Sequence, residues 1–164
     1  MLLMYNSDLT SKMLAYQYLK EFNIDHAIDW ALEMLLIGCE TPSLLILAGI
    51  PKPTNFFEAE KYLLASLNEL GIALPEKHDA IAGYCRTFIE KIAKSIHVKT
   101  NLEALYSTGL TFDHEKPIFD FYLLYWAWSD LDYGETYQDY VPEATKGNIE
   151  ELVIKKAIGW LKNN

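Results

Sequence analysis

Residues 54–71 read TNFFEAEKYLLASLNELG, and this stretch decides what kind of chain this is. Thr54 is a residue type that caps helices, Glu58 falls in the first turn, and Gly71 follows the last apolar position. Between them Phe56, Ala59, Leu63 and Leu67 recur at three- and four-residue steps, with Tyr62, Ser66 and Leu70 on an adjoining face. That is the spacing of a helix with one apolar stripe, over residues 55–70. Outward in both directions the same grammar repeats. Upstream, Thr41-Pro42 is a cap followed by proline at the first helical position; it opens a short helix, 43–48, stopped by Gly49. Asp25 caps a segment whose stripe is Ile28, Leu32, Leu35 and Leu36, closed by Gly38. Ser7 is the candidate cap of a segment over 8–22. Downstream, Pro75-Glu76 begins a helix extending to Ile96 through Ala82, Cys85, Ile89, Ile92 and Ile96. Thr100 starts a short helix through Leu102, Leu105 and Tyr106, closed by Gly109. Pro117 starts one that ends near Tyr133-Gly134. A loop, 134–147, contains Pro142. Asn148 caps the last helix, with Glu150 and Glu151 early and Lys155, Lys156 and Lys162 late, the order a helix dipole favours. Its stripe is Leu152, Ile154 or Lys155, Ile158 and Leu161.

Alternating β-branched runs and Asn-Gly or Asp-Gly hairpins are absent. The expected fold is therefore all-α: an irregular array of about eight helices paired as antiparallel α-hairpins by short connections, in a single helical domain over 1–164. A solenoid ranks second, because no repeat of fixed length recurs. The expected core holds Leu32, Leu35, Leu45, Leu63, Leu67, Ile89, Tyr122, Trp126 and Ile158.

At 164 residues the chain is long enough to bury a core without staples, and 51% hydrophobic with 23% charged residues is a globular composition. A net charge of −9 argues against nucleic acid and anionic membranes as partners, since both require clustered Lys and Arg. Cys39 and Cys85, without a C-x-x-C, read as two buried thiols in a reducing cytosol rather than a disulfide. The start, MLLMYNSD, lacks a basic n-region and a long apolar run, and the longest apolar run, 121–128, is too short to span a bilayer. The reading is a cytoplasmic protein.

The search for chemistry returns one pair with a name. His78-Asp79 is the adjacent couple that metal-dependent phosphohydrolases use on a helix, together with a distant His before it, here His26, and an Asp after it, here Asp113 or Asp120. An Asp just inside a helix also suits the dipole without any metal. Asp113-His114-Glu115 reads as solvated loop. Glu three residues before a His, the mark of di-iron bundles, occurs nowhere: Asn23, Pro75, Lys94 and Thr111 hold those positions. Nucleophile elbows, phosphate loops and dinucleotide fingerprints are missing. Cys85, beside Tyr84, Phe88 and Ile89, suits burial, which makes a thiol inert. No cofactor is implied and no catalytic residue is assigned.

What stands out is residues 113–143. They carry eight acids, Asp113, Glu115, Asp120, Asp130, Asp132, Glu135, Asp139 and Glu143, against one base, Lys116, so that −7 of the net −9 lies there. The same stretch holds Phe119, Phe121, Tyr122, Tyr125, Trp126, Trp128, Tyr133, Tyr137 and Tyr140. A helix apolar on two sides, one stripe through Phe119, Tyr122, Trp126, Ser129 and Tyr133 and another through Ile118, Phe121, Tyr125 and Trp128, is what the centre of a bundle needs. An acidic field beside Tyr and Trp is also what a docking surface for a basic protein needs: charge steers the encounter and rings supply buried area.

The stretch Leu44-Leu-Ile-Leu-Ala-Gly-Ile50, with Thr54-Asn-Phe-Phe-Glu58 and Leu67-Asn-Glu-Leu-Gly-Ile72, resembles a pattern in small uncharacterised all-helical bacterial proteins. Some of those sit beside secreted toxins and look like immunity proteins. The resemblance covers roughly 30 residues, all caps, stops and stripe positions. It implies a bacterial partner-binding protein and assigns no active site. The sequence thus points to a non-enzymatic protein-binding module, in its sharpest form an immunity-type inhibitor of a basic toxin. Its contact residues would be Asp130, Asp132, Tyr133, Glu135, Tyr137, Asp139, Tyr140 and Glu143. The alternatives are a metal-dependent hydrolase using His78 and Asp79, and a homodimer formed through the aromatic helix.

Overall fold

A computed structural model describes residues 7–111, 116–134 and 137–164. The described residues form eight α-helices and no strand: α1 (Asp8–Ala15), α2 (Asp25–Leu36), α3 (Pro42–Ala48), α4 (Phe56–Glu69), α5 (Lys77–Ala93), α6 (Val98–Thr111), α7 (Lys116–Asp132) and α8 (Ile149–Asn163), with a 3-10 turn at Tyr16–Tyr18. The protein is all-α. Its contacts divide it into two compact units, Met1–Tyr84 and Cys85–Asn164, and the division falls inside α5.

In the first unit α2 packs on α1, α3 and α4, and α3 packs on α4. The core is built by Met13, Ile28, Trp30, Ala31, Met34, Leu44, Leu47, Leu63 and Leu67. Trp30 is its largest fully buried side chain. An indole can be buried at little cost only if its N–H finds an acceptor. Here Nε1 donates to the Thr10 hydroxyl at 3.0 Å, and Thr10 lies 3.1 Å from the Ser7 hydroxyl. Ser7 in turn accepts from the Thr10 backbone N–H at 3.0 Å, so the α1 cap and the core tryptophan share one polar chain.

The helix ends are local chemistry. Ser7 and Thr41 cap α1 and α3 as the sequence suggests. Gly38 and Gly71 take φ of +91° and +71°. After each, a backbone N–H reaches five residues back, Cys39 to the Met34 carbonyl at 3.0 Å and Ile72 to the Leu67 carbonyl at 2.8 Å. That satisfies carbonyls the ending helix would leave bare.

Four expectations about ends need correction. Asn55, not Thr54, caps α4, its Oδ1 accepting from Phe57 and Glu58 N–H groups. Thr54 instead donates its N–H to Asp25 at 2.9 Å, so Asp25 ties two segments together rather than capping α2. The α5 helix stops at Ala93 rather than Ile96 because Ser95 turns left-handed, φ 58°, and leaves Ile96 exposed. Gly109 lies inside α6, where Ile118 packs within 3.5 Å of the place its Cβ would occupy.

The expected core needs correction too. Leu63, Leu67 and Ile89 are buried, but Leu32, Leu45 and Ile158 are exposed, and Leu35, Tyr122 and Trp126 are half-buried. In α2 the inner face runs through Ala27, Ile28, Trp30, Ala31 and Met34. Alanines let the neighbouring helices approach closely; Leu32 and Leu36 are turned outward, and Leu35 packs at the edge of the core. In α8 the inner line is Ile149, Val153 and Ala157, one step round from the expected stripe.

Truncating Trp30 to Ala should cost about 3–5 kcal/mol in urea unfolding, whereas Leu36→Ala, at a side chain 88% exposed, should cost under about 0.5 kcal/mol. Tyr16 gives a test in alkali. Burial pushes its hydroxyl up from 10.0 to about 12, with Glu60, which accepts its proton at 2.7 Å, adding to the shift against the opposing Gln17 bond. The folded state therefore holds this proton more tightly than the unfolded chain. The stability it contributes is complete below pH 10 and is lost as pH rises towards about 12. Circular dichroism across that window should show a steeper loss for the wild type than for Tyr16→Phe.

Candidate functional site

Residues 113–143 fall in the second unit. There α6 packs on α7 and α8, and α7 packs on α8. The inner line of α7 is Ile118, Phe121, Leu124, Ala127 and Leu131. The other rings of the helix lie to the side or face solvent. Tyr106 of α6 is the hub of an aromatic array. Its ring stacks on Tyr125 at 3.9 Å and 13°, stacks on Tyr122 at 5.4 Å, and meets Trp126 edge-on at 5.6 Å and 89°. Phe119 extends the stack through Tyr122. At the other end Trp126 lies against Tyr140 of the loop, 6.3 Å between centroids and 27° between planes. Burial raises the Tyr106 hydroxyl above its ordinary value, with Tyr122 and Tyr125 adding to it.

The sequence-derived residues separate into two neighbourhoods. Asp132 and Tyr133 line a small cleft of about 230 Å³ between α6 and α7, with Tyr125 and Trp128. There Asp132 is held by the Lys99 ammonium. The attraction also holds the Lys99 proton more firmly than usual. Glu143 lines a larger groove of about 770 Å³ between α7 and α8, whose wall is Leu123, Leu124, Leu152 and Trp160. Asp120 lines it as well and is paired with Lys156. Two of the acids are thus neutralised locally by bases far off in sequence. Asp130, Asp139 and Glu143 form no ion pair among the described residues. Glu135 lies outside the described residues.

The tyrosines differ in what they can offer. Tyr133 is 86% exposed, Tyr137 74% and Tyr140 41%. The Tyr137 hydroxyl donates to the Asp139 carboxylate, and that bond raises its pKa. A residue that sequence reasoning missed shapes the loop: Gln138 is buried between exposed neighbours. Its Oε1 accepts from the Val141 N–H at 2.8 Å, while its Nε2 donates to the Val141 carbonyl and to the Ala144 carbonyl at 3.5 Å. Asn148 stands at the N-cap of α8, as expected, but its side chain makes no cap bond and serves the loop. It accepts from the Thr145 N–H at 2.6 Å and donates to the Glu143 carbonyl at 3.0 Å. These two amides set the course of the chain between Tyr137 and α8. A glutamine flanked by polar loop residues carries no sequence signal for this role.

Of the residues in the metal reading, Asp113 lies outside the described residues, and His78 and Asp79 are neighbours in the chain. His78 Nδ1 and Asp79 Oδ1 are 3.3 Å apart with side chains 66% and 76% exposed. Among the described residues no three His, Cys, Asp or Glu side chains converge as metal ligands. Both cysteines are buried and outside any disulfide. Among the described residues no helix is long and apolar enough to cross a membrane. Comparison of the chain with protein-family models, with curated proteins and with solved structures finds no match.

Gln138→Ala should leave α6, α7 and α8 intact and loosen the loop. The expected cost is roughly 1–3 kcal/mol, the penalty for baring buried backbone groups. Hydrogen exchange should show faster exchange at the Val141 amide than in the wild type, with the α7 amides unchanged.

Proposed function

We propose that the chain is a non-enzymatic protein-binding module that docks a basic protein through residues 113–143, an immunity-type inhibitor of a basic bacterial toxin being the sharpest form of that role. The observation that carries the reading is the exposure of Tyr133 and Tyr137, 86% and 74%, on the segment with most of the net charge. Tyrosines anchor interfaces because they supply large contact area with few rotamers to freeze. The carboxylates of Asp130, Asp139 and Glu143, free of ion pairs among the described residues, supply the steering field. Asp132 is a weaker contributor, since Lys99 already offsets its charge. The resemblance of 44–72 to proteins that look like toxin immunity proteins supports the same role. A cytoplasmic location fits it, because a producing cell must meet its own toxin there.

The partner to test is a basic toxin encoded beside this gene. Co-expression should protect the host. With the purified pair, Tyr137→Ala should speed dissociation about thirtyfold, the rate equivalent of roughly 2 kcal/mol for an interface anchor. Reversing Asp130 and Glu143 to Lys should slow association and flatten its salt dependence. Its urea midpoint should move little, since exposed charges contribute roughly 0–1 kcal/mol each. The reading fails if the chain neither protects nor binds saturably, or if these variants bind as the wild type does.

A further inference from the structure

We propose that Trp126 and Tyr140, with the carboxylates of Asp130 and Asp139, form a site for an arginine side chain of the partner protein. This rests on the docking reading above and names the group that the surface recognises.

The geometry starts with the indole. Three rings meet Trp126 nearly at right angles: Tyr106 at 5.6 Å and 89°, Tyr125 at 5.6 Å and 76°, and Tyr122 at 6.5 Å and 72°. They fix its plane before any ligand arrives, which removes an ordering cost from binding. The Tyr140 ring, from the loop, lies nearly parallel to that plane, at 27° and a centroid distance of 6.3 Å. The closed stack in the same array, Tyr106 on Tyr125, stands at 3.9 Å. At 6.3 Å the Trp126 and Tyr140 faces do not cover one another in that way, and Tyr140 is 41% exposed. Trp126 is itself half-buried, so both rings keep some accessible surface beside which a flat group could stack.

Charge selects which flat group. Asp130 lies one helical turn beyond Trp126 in α7, on the same side of the helix. It has no ion-pair partner among the described residues. Asp139 is the neighbour of Tyr140, and the Tyr137 hydroxyl donates to it. Glu143 follows in the same loop, its backbone carbonyl pinned by Asn148. A guanidinium matches both features at once. It is planar and weakly hydrated, so its face stacks on indole and phenol, and its edge donates paired N–H bonds to a carboxylate. A lysine ammonium has no face to stack and holds its water more firmly. A nucleotide could stack its base, but its phosphates would be repelled by the carboxylates of Asp130 and Asp139.

The experiment titrates the full chain with capped peptides of four arginines, four lysines and four citrullines, following tryptophan emission and heat. Citrulline keeps the shape of arginine and lacks its charge. The arginine peptide should quench emission saturably and bind about tenfold or more tightly than the lysine peptide, because only it adds stacking to charge. The citrulline peptide should bind far more weakly than either. Trp126→Phe should remove the quench. Tyr140→Ala, at an exposed loop position, and Asp130→Asn should each bring arginine and lysine to near parity, with unchanged circular dichroism showing that the fold survives. Equal binding of arginine and lysine peptides, removed by salt, would overturn the arginine site and leave the acidic docking surface standing. An arginine preference that survives in both Tyr140→Ala and Asp130→Asn would place recognition elsewhere and overturn it as well. Failure of all three peptides to bind overturns the arginine site, while the docking reading is judged separately by the protein partner.

Discussion

A helix has one side to give to a core, and α7 holds more rings than that side can take. Six aromatic residues fall between Lys116 and Asp132, and only Phe121 is fully buried. The inner line is otherwise aliphatic: Ile118, Leu124, Ala127 and Leu131. Phe121 has no polar atom to satisfy. Tyrosine and tryptophan do, so they settle at the boundary where one edge stays wet. The rings excluded from the core then have only each other and α6. Tyr106 receives two of them face to face, and the array that results is a consequence of geometry before it is a binding surface. Much of what is described above for the second unit follows from that exclusion: the half-exposed indole, the stacked tyrosines, and the loop tyrosine laid against Trp126.

The same rule explains which parts of the fold were legible in the sequence. Helix positions and the stops at Gly38, Gly71 and Gly134 are written in a few adjacent residues, because a cap is a local hydrogen bond and a left-handed residue is a local steric demand. Which side of a helix turns inward was harder to read. In α2 and α3 leucines occur all round, so hydrophobicity alone does not choose. Small residues mark the inner side instead: Ala27 and Ala31 in α2, Ala127 in α7, Ala157 in α8, all fully buried. Leu32 had the size of a core residue but stood off the Ala27–Ala31 side of α2, and in α3 Ser43, Leu44 and Leu47 turn inward and leave Leu45 exposed.

The candidate site was legible in content and not in arrangement. Composition finds the acids and rings of 113–143 at once. It cannot find Lys99 beside Asp132 or Lys156 beside Asp120, because those partners are 33 and 36 residues away and no periodicity connects them. Two of the eight acids in what looked like a single field are thereby offset where they stand. Gln138 was invisible for a different reason. Its role depends on being buried in a loop, and burial in a loop leaves no period to detect.

The two thiols have a use that their inertness conceals. Cys39 is 6% exposed in the first unit and Cys85 is 1% exposed in the second. A thiol reagent in solution reaches neither until the surrounding helices open. Each cysteine is thus a clock for its own unit, and the two run side by side in one polypeptide. With Cys39→Ser or Cys85→Ser leaving a single clock, the rate of labelling measures how often the helices around the remaining thiol open. A molecule that bound the aromatic array and steadied the second unit would slow the Cys85 clock.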